Sequence, residues 1–262
     1  MSEQWGAAAR LLWGPQPPVK PARGPKRGLT LDGIAAAGVG IADGEGLGAV
    51  SMQRVAGELG VTKMALYRYV PGKAELVALM VESAMAGVPL PEAEAGAGAG
   101  AGLPGAGWRA RLGEWARALL VGFQRHPWLL EATVGVRVMG PRELAWLERA
   151  LAALEGCGLS GAEAMDAVVL LTGHVRGIAA QGQGQGVAES AGGEAGGAGG
   201  PDAQLTAVLG EVMREHGDRY PALAAALVSA AGGGGQDQAL EFGLERILDG
   251  LGLLMEQRKR GT

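Results

Sequence analysis

Residues Val50–Val77 read VSMQRVAGELGVTKMALYRYVPGKAELV, and their pattern decides the fold. Ser51 places a hydroxyl where the first N–H groups of a helix have no partner. Val55, Ala56 and Leu59 then form the inward stripe of a short helix. Gly60 supplies the sharp turn that ends it, and Thr62 caps a second helix. Leu66 and Val70 face inward from that helix. Lys63, Met64, Tyr67, Arg68 and Tyr69 stay on or near its outer face. Two short helices at this spacing, followed by the lysine-led start of another, make a helix-turn-helix. In that arrangement the second helix enters the major groove of DNA.

The run LGVTKMALYRYVPGKAELVALM, Leu59–Met80, resembles the signature of the TetR family of transcriptional repressors. The matching groups are Leu66-Tyr67-Arg68-Tyr69 at the end of the second helix and Lys73-Ala74-Glu75-Leu76 at the start of the next. The resemblance is specific over about Leu31–Val81 and weaker over the rest, where the chain is similar to the ligand-binding domain of tetracycline-repressor-like members. It implies an all-α protein. A three-helix DNA-binding head would occupy residues 29–73, and a larger helical effector-binding and dimerisation domain residues 74–257.

The periodicity of the chain agrees with an all-helical fold, since alternating β-branched runs of useful length are absent. Leu29 to Asp43 reads as the first helix, with Ile34 and Ile41 in the core. The helix from Lys73 to Ala86 is apolar nearly all round, which suits packing against both domains. Trp108 to Arg125 is amphipathic, Pro141 opens a helix carrying Leu144, Leu147, Leu151 and Leu154, and Ser160-Gly161-Ala162-Glu163 is a capping box. The helix it starts presents Ala164, Val168, Leu171, Val175 and Ile178. Helices are expected near Asp202 to His216, after Pro221, and from Asp237 to about Gln257, the last with Leu240, Leu244, Ile247, Leu251 and Leu254 on one stripe. Low-complexity loops are expected near 91–107 and 182–200.

Residues 1–28 read as a flexible, basic, proline-rich arm in which five prolines oppose regular structure. Lys20, Arg23, Lys26 and Arg27 suit contact with a minor groove or phosphates. A solvated tail or a misassigned start is the other reading.

Composition narrows the function. The net charge of −4 argues against a nucleic-acid binder. Its distribution argues the reverse, because residues 1–73 hold nine Lys/Arg against five Asp/Glu and the remainder fourteen against twenty-two. A basic head on an acidic body leaves one face for DNA. The single cysteine, Cys157, excludes an internal disulfide. With no signal peptide and no apolar stretch of about 20 residues, a cytoplasmic protein is expected. No metal-ligand spacing, phosphate loop or nucleophile elbow is present, so neither a metal, nor another cofactor, nor an enzyme is expected.

On the head, Ser51, Thr62, Tyr67, Tyr69 and Lys73 are the phosphate candidates. Gln53, Lys63, Met64 and Ala65 are the base candidates, and Arg68 suits either task. The partners implied are a double-stranded palindromic operator, a second copy of the chain and a small effector. The resemblance puts Trp115, Phe123, Trp128, Met139 and His174 at an effector pocket; plain core packing is the other reading of each. His174 follows Gly173 in a Gly-His context similar to tetracycline repressors. The histidine and acidic partners that hold a magnesium–drug complex in those proteins are missing, so a more hydrophobic effector is expected. A constitutive or activating DNA-binding regulator without an effector is the alternative function.

Overall fold

A computed structural model describes residues 3–14, 29–90, 107–190, 201–232 and 239–260. They form helices joined by turns, with no strand among the described residues. The helices are α1 (Glu3–Trp13), α2 (Leu31–Glu45), α3 (Met52–Glu58), α4 (Lys63–Tyr67), α5 (Lys73–Ala86) and α6 (Trp108–Arg125). They continue as α7 (Leu129–Ala132), α8 (Pro141–Leu154), α9 (Gly161–Ser190), α10 (Pro201–His216), α11 (Pro221–Gly232) and α12 (Ala239–Arg260).

The head is α2, α3 and α4. Thr30 caps α2 by accepting from the Gly33 N–H at 3.1 Å. Ile34, Val50, Val55, Leu66 and Val70 are all fully buried and form its core. α2 lies directly on α5, so close that a Cβ on Gly38 would stand 2.7 Å from the Met80 sulfur. α5 therefore belongs to the head's core through Leu76 and Met80 and to the body through Met85, all buried.

The body binds α5 by polar contacts as well. The Glu82 carboxylate accepts from the backbone N–H groups of Arg142 at 3.0 Å and Glu143 at 3.2 Å. A side chain of α5 thus caps the start of α8, where unpartnered N–H groups favour an anion. Just past the last residue of α5, Arg125 donates to the Gly87 carbonyl at 3.1 Å. α6, α8, α9 and α12 build the remaining core. The Trp115 indole donates to the Trp146 carbonyl at 2.9 Å, and Arg117 grips Glu241 with two hydrogen bonds of 2.7 Å.

Several expectations shift. Part of the arm expected over 1–28 is the helix α1, which packs on α5. Leu12 is buried and the Trp13 indole donates to the Met139 carbonyl at 3.0 Å. The prolines and the four basic residues lie at 15–28, outside the described residues. The loop expected near 182–200 is helical as far as Ser190, as α9 carries on through Gly and Gln. Residues 91–106 and 191–200 lie outside the described residues. In α8 the inward face is Trp146, Ala150, Ala153 and Leu154, while Leu144 is exposed. Leu147 and Leu151 sit half-buried at the edge of this face. In α12 the buried line is Leu244, Leu248, Leu251 and Met255, which keeps Leu244 and Leu251 of the expected stripe and leaves Leu240, Ile247 and Leu254 half-buried beside it.

Candidate nucleic-acid interface and effector region

The two short helices of the motif are capped as their residue types require. Ser51 Oγ accepts from the Arg54 N–H at 3.1 Å, and Thr62 Oγ1 accepts from the Ala65 N–H at 3.2 Å. Gly60 has φ +64°, a left-handed turn that glycine adopts without strain. Each capping hydroxyl uses an oxygen lone pair and keeps its O–H free to donate outward.

None of the ten sequence candidates is buried. Ser51, Gln53, Thr62, Lys63, Met64, Tyr67, Arg68, Tyr69 and Lys73 are exposed, and Ala65 is half-buried. Met64 is 72% exposed on a helix of only five residues. The Lys63 ammonium stands 5.7 Å from the centre of the Tyr67 ring, which holds both groups on the same face. Arg54, which also lies in this region, is tied to Glu45 at 2.6 Å.

The effector candidates do not form one site. Phe123 joins Met85, Val88, Leu119, Gly122, Leu129 and Trp146 around an apolar gap with no room for a water molecule. Trp115 is committed to the α8 carbonyl described above. The carbonyl of Met139 receives Trp13. His174 leaves the set, because its Nε2 meets the Leu240 carbonyl at 2.9 Å. The ring fills the space where a Gly243 side chain would stand, 2.2 Å from the position of a Cβ. It therefore fastens α9 to α12. Arg176 turns inward. It donates to Thr133 Oγ1 at 2.7 Å and to the Leu130 carbonyl, with its guanidinium 5.4 Å from the centre of the Phe123 ring. Burial, and then the neighbouring charge of Arg137, push its pKa down.

Trp128 has a role the sequence did not suggest. Its indole donates to Asp43 Oδ1 at 2.7 Å, and His126 Nδ1 lies 2.8 Å from the same oxygen. Asp43 sits at the end of α2 in the head, and both partners sit at the α6–α7 junction of the body. More than eighty residues separate them, so no local spacing could have shown the link.

Among the described residues no group of three His, Cys, Asp or Glu side chains could hold a metal ion, and no helix is long and apolar enough to cross a membrane.

Known proteins share this geometry. Residues 29–80 match the family described as bacterial regulatory proteins, tetR family, and residues 101–254 match the tetracyclin repressor-like C-terminal domain. The chain is 38% identical over 244 residues to the HTH-type transcriptional repressor DrrR1 of Streptomyces coeruleorubidus, covering 92% of this chain and 83% of that one. Apo ActR of Streptomyces coelicolor superposes with a TM-score of 0.67 at 26% identity, over 89% of this chain and 99% of that one. The ActR complex with actinorhodin superposes with a TM-score of 0.65 at 26% identity, over 86% and 96%. A helix-turn-helix head on a helical body, with these matches along both, makes the chain a member of the TetR family of transcriptional regulators, a DNA-binding protein and not an enzyme.

Proposed function

We propose that the protein is a homodimeric repressor that occupies a palindromic operator and leaves it when a small, largely hydrophobic effector binds. One observation carries the reading: α5 is a single helix shared by two cores. Its first turn carries the exposed Lys73, and its last turn lines the apolar gap around Phe123 through Met85. A ligand that wedges this gap open must displace the end of α5. Because α5 is close-packed against α2, the head then moves with it as a body. The ActR complexes with actinorhodin and (S)-DNPA support the reading, since relatives of this shape hold organic molecules.

The dimer is proposed on the outward faces of α9 and α12. The inner stripes of the two helices, Val168 to Ile178 and Leu240 to Leu254, turn largely into the chain's own core. The opposite faces carry Val169, Leu170, Phe242 and Leu253, each more than half exposed. Two adjoining apolar helix faces in water form a four-helix bundle when two copies meet. Two heads held on one rigid bundle read two half-sites, which raises discrimination beyond what one head's few base contacts supply.

A gel-shift titration tests the proposal, using palindromes from the intergenic DNA beside the gene. The expected outcome is a shifted band, lost on adding the effector. A protein that shifts none of these fragments contradicts it.

A further inference from the structure

An open cavity of about 510 Å3 lies at the junction of head and body, at the opposite end of α5 from the Phe123 gap. Ala8 of α1 forms one wall, and Lys73, Glu75 and Val77 of α5 a second. Val136 and Arg137 of the segment after α7 form the third. Its volume is in the range of small-molecule sites. The α1 wall lies outside both stretches matched to the family, which begin at residue 29 and end at residue 254. The other named walls, from α5 and the segment after α7, lie within those stretches.

Two features say what it takes. The walls are mostly alanine and valine, and Val136 is 87% exposed at the rim. An apolar molecule in the cavity would bring that side chain out of water. The second feature is Glu75, which is only 6% exposed yet makes no hydrogen bond or ion pair with any described residue. Its carboxylate oxygens are not sealed from solvent, and a cationic N–H donor entering the cavity would pair with them. The neighbouring cations do not supply that donor. Arg137 is bound to Glu143 through two hydrogen bonds, and Lys73 is exposed and forms no ion pair among the described residues.

We propose that this cavity binds a small amphiphile with an apolar body and a protonated amine, the amine pairing with Glu75 and the body lying against Val77 and Val136. Lys73 lines the same cavity and is also a phosphate candidate. A molecule bound here therefore sits where the head must dock, and its occupancy weakens DNA binding. That last step rests on the repressor reading, whereas the binding itself does not.

The test uses proflavine, a planar amine-bearing cation, and anthracene carboxylate, an anion of the same three-ring frame. Each is titrated by fluorescence anisotropy against the full chain without DNA. Saturable proflavine binding at one site per chain is expected, with the anion at least about tenfold weaker. Glu75→Gln, which keeps the side chain's length, should weaken proflavine about tenfold or more. Val136→Arg, at an exposed rim position that cannot disturb the core, should weaken it by a similar factor. Equal affinity for cation and anion, or unchanged proflavine affinity in both variants, overturns the proposal and leaves Glu75 as a cap for the start of α5. A chain that shifts operator DNA but binds no proflavine refutes the cavity and spares the repressor reading. A chain that binds proflavine as described but no DNA does the reverse.

Discussion

Trp128 donates its indole N–H to Asp43 Oδ1 at 2.7 Å, which ties the end of the head's first helix to the start of α7 in the body. The bond bypasses α5. The head is thereby held at two points, by the packing of α2 on α5 and by this polar clasp, and a pivot of α5 must break or strain the second. Trp128→Phe keeps the ring and removes the donor. It should cost about 1 kcal/mol in urea unfolding and make operator release by effector easier. Unchanged stability and unchanged effector response would show that the clasp carries no coupling.

Leu253→Glu combined with Val169→Glu places charges on the outward faces of α12 and α9. Both positions are more than half exposed in one copy, so the fold of the chain should survive. Sedimentation should change from dimer to monomer, and operator affinity should fall by about 100-fold or more as two-head binding is lost. A double variant that remains dimeric would move the interface elsewhere.

Glu163 is held down to about 2 by the Ser160 backbone N–H first and Arg258 second, from an ordinary value of 4.5. A depressed carboxylate contributes stability that is complete above its unfolded value and lost as pH falls towards its folded one. Glu163→Gln retains the cap geometry without the charge. Melting temperatures of the two proteins should therefore differ near about pH 6 and converge towards about pH 2. Curves that stay parallel across that window would contradict the assignment.

Cys157 is buried, and its burial raises the thiol's pKa, outweighing the opposing charge of Arg111. Thiolate is the reactive form. An aromatic disulfide reagent should label the native chain slowly and the urea-unfolded chain at once. Fast native labelling would mean that the α8–α9 turn opens readily.

The head was legible because its rules are local. Ser51, Gly60 and Thr62 announce caps and a turn within a dozen residues, and Leu66 and Val70 can face only one way once those are set. The boundaries of α5 and α6 followed from their flanking glycine and proline for the same reason. The body was less legible because pairing over long range decides which face of a helix turns inward. Nothing near His174 shows that Gly243, 69 positions later, leaves room for its ring. Asp43, His126 and Trp128 are likewise joined only by the fold. α1 was hidden by the prolines that follow it, although Leu11, Leu12 and Trp13 already supplied an apolar face to dock.

The central claim is that the exposed face of α4, with Lys73 at the start of α5, docks on DNA. Operator affinity measured as a function of salt, for the native chain and for Lys73→Ala, tests it most directly. A phosphate contact predicts weaker binding to every sequence, with the slope of log affinity against log salt reduced by about 1 per head. An unchanged slope, or affinity indifferent to salt in both proteins, would contradict it.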